Sequence, residues 1–118
     1  MKLSVVIPAY NEAESIPETL QSLYDTLTKY GIDHEIWVTN DNSKDNTVEV
    51  LTELQKKIPT LTFETNQGPN GFGYAVRYGL ERFSGDCVAV FMADMSDDPE
   101  DLVKYYKTMQ SKDVDCVF

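Results

Sequence analysis

Leu3-Ser4-Val5-Val6-Ile7-Pro8-Ala9-Tyr10-Asn11-Glu12 decides the fold. Its apolar half carries almost no polar residue to face water, which is the pattern of a strand buried on both sides at the centre of a parallel sheet. Working outward, β-branched or apolar runs recur at Glu35–Thr39, Leu61–Thr65, Val88–Met92 and Val114–Phe118, and each reads as a further strand. Between them the apolar residues take helical spacing: Ile16, Leu20, Leu23 and Leu27; Val48, Leu51 and Leu54; Ala75, Val76, Gly79 and Leu80; Leu102, Val103, Tyr106 and Met109. The alternation βαβαβαβαβ implies an α/β fold with a mostly parallel sheet and helices on its faces. Punctuation agrees: Gly31 stops the first helix, Ser43–Thr47 offers caps before the second, and Pro59 follows it.

The 118 residues suit one domain, and 42% hydrophobic with 25% charged residues is the balance of a folded globular chain. Twenty acidic against ten basic residues give a formal charge of -10, with the cations scattered. That excludes nucleic acid as a partner, since its binding requires clustered Lys and Arg. A phosphorylated small molecule remains compatible if a divalent cation bridges carboxylates to phosphates. Cys87 and Cys116 lie in apolar runs and read as reduced core thiols. No stretch reaches the length of a membrane span and no signal segment is present, so the default location is cytoplasmic, at the cytoplasmic face of a membrane if membrane helices follow. The sequence ends inside an apolar run and reads as part of something longer.

In open parallel sheets ligands bind beyond the carboxyl ends of the strands. After the first strand Pro8 is expected to end the ladder and leave Tyr10 and Glu12 facing the crevice, or the segment is a plain turn with Asn11 as a cap. After the second, Asn40-Asp41-Asn42-Ser43-Lys44-Asp45-Asn46-Thr47 is dense in short polar side chains; most suit turns and caps, while the Asp41 carboxylate could accept N–H donors from a base edge. After the third, Gly71-Phe72-Gly73 opens a helix, where glycines either admit close backbone approach to a ligand or only make the turn. After the fourth, Asp97, Asp98, Glu100 and Asp101 read as helix-start carboxylates. Asp94 closes what reads as a buried strand, where an unpaired carboxylate is costly unless it meets a cation or ligand.

These four loops, in this order, resemble the nucleotide-sugar-binding half of the family 2 inverting glycosyltransferases, which have the GT-A fold. Ser4 through Glu12 is similar to that family's opening strand, and Asn40 through Thr47 resembles its Asp-Asp-Gly-Ser-x-Asp-x-Thr loop. Asn66 through Gly79 is similar to its Asn-x-Gly…Gly-x-Ala-x-x-x-Gly segment, and Phe91-Met92-Ala93-Asp94 falls where it carries Asp-x-Asp. The resemblance implies that Pro8, Ala9, Tyr10, Glu12, Asn40, Asp41, Gly71, Gly73, Arg77, Ala93 and Asp94 bind a UDP- or GDP-sugar. It also implies that Asp94, with Ser96 or Asp97, holds Mg²⁺ or Mn²⁺, and that the whole of residues 1–118 is one donor-binding half. Met92 replaces the first Asp of Asp-x-Asp, and Asn40 and Asn42 replace the usual Asp and Gly. Ala93 through Glu100 looks like the form found in polyprenyl- and dolichyl-phosphate sugar synthases. The implied reaction is metal-assisted inverting transfer to a hydroxyl or polyprenyl-phosphate acceptor, with the catalytic base outside this chain.

Two other readings compete. A phosphoacceptor receiver domain has the same alternation, but needs an acidic pair after strand one and an Asp after strand three, where Pro8-Ala9 and Thr65-Asn66 stand. A non-catalytic nucleotide-binding module is the other. Half a sheet should also leave an apolar flank through which copies self-associate.

Overall fold

A computed structural model describes residues 2–66, 68–94 and 97–112. The elements run β1 (Leu3–Ala9), α1 (Ile16–Lys29), β2 (His34–Asn40), α2 (Thr47–Gln55), β3 (Leu61–Thr65), α3 (Phe72–Leu80), β4 (Cys87–Val90) and α4 (Pro99–Lys112). The strands form one parallel sheet in the order β3-β2-β1-β4. The fifth strand read at 114–118, and Cys116 within it, lie outside the described residues.

Alternation along β1 assigns the two faces. Leu3, Val5, Ile7 and Ala9 join Leu20, Leu23 and Leu27 of α1, Leu51 and Leu54 of α2, and Leu102 and Val103 of α4 in one core. Val6 points the other way, toward α3. There Gly79 lets the helix backbone come down on the sheet: a Cβ at Gly79 would stand 2.5 Å from Val6 Cγ1 and 3.0 Å from Trp37 Cδ1. Every residue of β1 is buried, as its composition requires. α1 follows the Ile16, Leu20, Leu23, Leu27 spacing and ends where Gly31 takes φ +65° and donates its N–H to Thr28 O.

Pro8 does not end β1, contrary to the sequence expectation. It lies inside the strand opposite Thr39, and pairing with β2 continues to Ala9 and Asn40. Leu3 N–H donates to Asp33 O and Ala9 O accepts from Asp41 N–H, so the odd-numbered residues bond toward β2. Val6 O accepts from Phe91 N–H, so the even-numbered ones bond toward β4. The donor that proline lacks therefore falls on the β4 side, one step beyond the Val6–Val90 pair where that pairing ends. The fourth strand accordingly stops at Val90, short of the Met92 expected, and the chain peels away from the sheet. Asp94 thus does not close a buried strand; it is exposed, in the turn that follows.

At the opposite end of the sheet Glu35 gathers the Ser4 hydroxyl (2.5 Å) with the Ser84 N–H (2.5 Å) and hydroxyl (2.8 Å). Burial alone would raise its carboxyl pKa, but these donors hold it below the ordinary value. β4 is the outer strand among the described residues, with Val90 exposed on it and Cys87 a free, half-buried thiol. Burial, then the neighbouring Asp86 charge, raises the Cys87 pKa, as expected of an inert reduced thiol.

Candidate nucleotide-binding cleft

β2 and β4 flank β1, and the chain reaches them in opposite directions, so strand order reverses beside β1 at the carboxyl edge. An open cleft of about 510 Å³ lies there. One wall is Pro8, Ala9, Tyr10 and Glu12 from the end of β1; the facing wall is Asp41 with Asn70, Gly71 and Phe72. Ala75 and Met92 complete the lining. Tyr10 and Phe72 expose 48% and 57% of their surface, so two aromatic rings stand open to solvent at this site.

The loops around the cleft are cross-tied. Asn11, at φ +53°, accepts Lys44 N–H on its Oδ1 (2.7 Å) and gives its own N–H to Ser43 Oγ (3.0 Å). Asp45 accepts from Ala13 N–H (3.3 Å) and Thr47 N–H (3.1 Å) and from the Thr47 hydroxyl. The Thr47 hydroxyl first, with those N–H groups, holds the Asp45 carboxyl below its usual pKa. Thus Asn11 is not a helix cap, and Asp45 and Ser43 act largely as rivets between the loops after β1 and β2. Asn46 occupies the cap position of α2 without a side-chain cap bond.

Asp41 is 5% exposed. Its Oδ2 accepts Gly71 N–H at 2.8 Å and its Oδ1 accepts Asn66 Nδ2 at 3.2 Å. A carboxylate has about four acceptor sites, so each oxygen keeps capacity for a ligand. Gly71 takes φ +133°, a conformation that a side chain would strain, and turns its N–H onto Asp41 as α3 begins.

The remaining expected residues fall elsewhere. Asn40 is buried structure: its amide donates to Thr65 Oγ1 (3.2 Å) and its oxygen accepts Ser43 N–H (3.1 Å). Gly73 is exposed and outside the lining, and Arg77 is exposed along α3, ion-paired with Glu81 at 3.0 Å. Ala93 is buried, its carbonyl accepting the hydroxyls of Ser15 (2.9 Å) and Thr19 (3.2 Å) from α1. Asp97 uses Oδ2 to accept Met92 N–H (2.9 Å), and Asp98 accepts Glu100 N–H (2.9 Å) as α4 starts, so both bind backbone around the helix start. Ser96 lies outside the described residues. Asn70, Phe72, Ala75 and Met92 line the cleft without having been singled out as binding residues. Phe72 carried a readable signal, an aromatic between two glycines at a helix start.

Residues 4–118 match the family model for glycosyl transferase family 2. The chain belongs to that family. It is 34% identical over 111 residues to the dolichol-phosphate mannosyltransferase of Pyrococcus furiosus, covering 94% of this chain and 31% of that protein. A mannosyltransferase from Pyrobaculum calidifontis, solved with GDP-Man and Mn²⁺, superposes with a TM-score of 0.77 at 25% identity, over 91% of this chain and 32% of its own. The glucosyl-3-phosphoglycerate synthase of Mycobacterium tuberculosis, solved with Mn²⁺ and UDP-Glc, shares the fold (TM-score 0.76, 21% identity, 93% of this chain and 39% of its own). The chain thus spans about a third of the length of the relatives it matches. No helix of its described residues is long and apolar enough to cross a membrane.

Chemically, this family 2 cleft offers two carboxylates, Glu12 and Asp41, and among its described lining no Lys or Arg. An anionic ligand therefore meets repulsion unless a cation accompanies it. No group of three His, Cys, Asp or Glu among the described residues forms a metal cage.

Proposed function

We propose that residues 1–118 are the donor-binding half of a GT-A glycosyltransferase. It takes a UDP- or GDP-sugar with Mg²⁺ or Mn²⁺ and serves inverting transfer to a hydroxyl or polyprenyl-phosphate acceptor. The observation that carries the reading is Asp41, a buried carboxylate clamped on both oxygens in the wall of a cleft at the reversal of strand order. In that reading Asp41 accepts an N–H of the base, and Pro8, Ala9 and Tyr10 form the opposite wall of the nucleoside pocket. The diphosphate would extend toward Met92 and the turn after β4, where Asp94 stands. When bound there, the cation stabilises the charge that develops on the diphosphate as the sugar departs. Asp94 would hold the cation through its carboxylate, while the Ser15 and Thr19 hydroxyls keep the preceding carbonyl in place. The base that deprotonates the acceptor is not assigned to this chain.

The dolichol-phosphate relative supports a lipid-phosphate acceptor, and the GDP-Man and UDP-Glc complexes of the structural neighbours support a nucleoside-diphosphate donor. Calorimetry with UDP and GDP on folded chain tests the reading. Binding should require Mn²⁺ or Mg²⁺ and should weaken at least tenfold in Asp94→Ala. Absence of nucleotide binding with Mn²⁺ present would overturn it.

A further inference from the structure

We propose that Asn66 is a positioning residue for nucleotide recognition: its side-chain amide orients the Asp41 carboxylate in the cleft wall, so base discrimination depends on a side chain outside the cleft lining. The inference rests on the donor-binding reading above. Asn66 directly follows β3 and is 4% exposed. Its backbone N–H extends the β2–β3 ladder to Asn40 O (2.9 Å), which sets the side chain beside the end of β2. Both amide protons of Nδ2 are used, one on Pro69 O (2.8 Å) and one on Asp41 Oδ1 (3.2 Å), while Oδ1 accepts Gly68 N–H (3.0 Å). Gly71, in the same loop, takes the other Asp41 oxygen at 2.8 Å. One short loop therefore grips both ends of the carboxylate and sets its plane.

The residue type matters as much as the contact. A loop brace alone would need only the Gly68 and Pro69 bonds. A cation in place of Asn66 would neutralise Asp41 and compete with a base for it. The neutral amide orients the carboxylate and leaves its full negative charge to attract an N–H donor. Of the charged groups on the elements packed around Asp41, Glu12 shares the cleft. Glu64 on β3 and Arg77 on α3 are exposed and engaged with Tyr78 and Glu81, and Lys44 and Asp45 lie exposed beyond Asn42 in the next loop.

Asn66→Asp tests the contact to Asp41, with near-ultraviolet circular dichroism reporting whether the loop braced on Pro69 O keeps its structure. When protonated, the introduced carboxyl can still donate to Asp41; when ionised, it repels it. Affinity of the full chain for UDP and GDP with Mn²⁺, taken as the ratio of variant to wild type at each pH, cancels the titration of the nucleotide itself. The ratio should fall at least tenfold between pH 5 and pH 8, with unchanged near-ultraviolet circular dichroism. A ratio that stays flat, with the wild type binding, overturns the role of Asn66 and leaves the donor-binding reading intact. A wild type that binds no nucleotide instead overturns the donor-binding reading. Asn66→Ala supplies a second measurement should the first variant unfold. Wild type should prefer UDP or GDP over the analogue methylated at the base N–H, 3-methyluridine or 1-methylguanosine diphosphate, and the variant should lose that preference. A preference retained in Asn66→Ala overturns the proposal.

Discussion

The hydroxyl of Ser15 donates to the carbonyl oxygen of Ala93 at 2.9 Å across 78 residues of sequence. The start of α1 thereby anchors the turn that carries Asp94, and Thr19, one turn along, shares the same acceptor. Ser15→Ala and Thr19→Val should each cost about 1 kcal/mol in urea unfolding. The pair together should weaken Mn²⁺-dependent nucleotide binding more than any metal-independent binding. Equal losses in both would separate this anchor from any metal held at the Asp94 turn.

Asp41 allows stability and binding to be told apart. Asp41→Ala leaves Gly71 N–H and one Asn66 proton without their acceptor and should destabilise by roughly 1–3 kcal/mol. Asp41→Asn keeps an oxygen and the shape of the side chain while removing the charge. It should unfold closer to wild type yet bind UDP and GDP at least tenfold more weakly, as calorimetry would read.

Gly79→Ala should overpack the sheet. The new Cβ would collide with Val6 Cγ1 and crowd Trp37, in a layer where both partners are buried. A loss of roughly 1–3 kcal/mol is expected, visible as a lowered thermal midpoint. A neutral outcome would mean that α3 lifts from the sheet without penalty.

Glu35 predicts an acid-dependent contribution. Its folded pKa lies below the unfolded value of 4.5, so the unfolded chain takes up the proton first as pH falls. The stabilisation from Ser4 and Ser84 is therefore present above pH 4.5 and disappears as pH drops through the folded value. The stability gap between wild type and Glu35→Gln should be open at pH 7 and should narrow steadily as pH falls below 4.5. A gap that does not change with pH across the acid range would remove this role.

Arg77 supplies a control. It is exposed and paired with Glu81 one turn along α3. Arg77→Ala should cost no more than about 0.5 kcal/mol and leave nucleotide affinity unchanged in the same titrations.

The architecture was legible because strands and helices differ in period and composition. The Leu3–Ile7 run, apolar but for Ser4, announces a central strand, and the spacing of Ile16, Leu20, Leu23 and Leu27 announces a helix. The end of β4 was not legible. It depends on which neighbour the missing Pro8 donor faces, and only pairing register decides that. At the site, Tyr10, Glu12 and Asp41 could be found by reading the residues after each strand. Asn40 and Ala93 occupy the same kind of position yet face inward, Asn40 to Thr65 and Ala93 to α1. Asn66 was quoted within a motif, but nothing in its sequence context shows that its amide reaches Asp41.

The strand order also has a meaning in time. The residues of the wall that would hold a base, from β1, β2 and the loop at 66–71, all precede β4 in the sequence. The side where a diphosphate would lie cannot assemble until Cys87–Val90 reaches back to β1, a pairing that joins Leu3 to Cys87. During synthesis the residues of that wall therefore leave the ribosome first, and the acidic turn that would take the cation follows them.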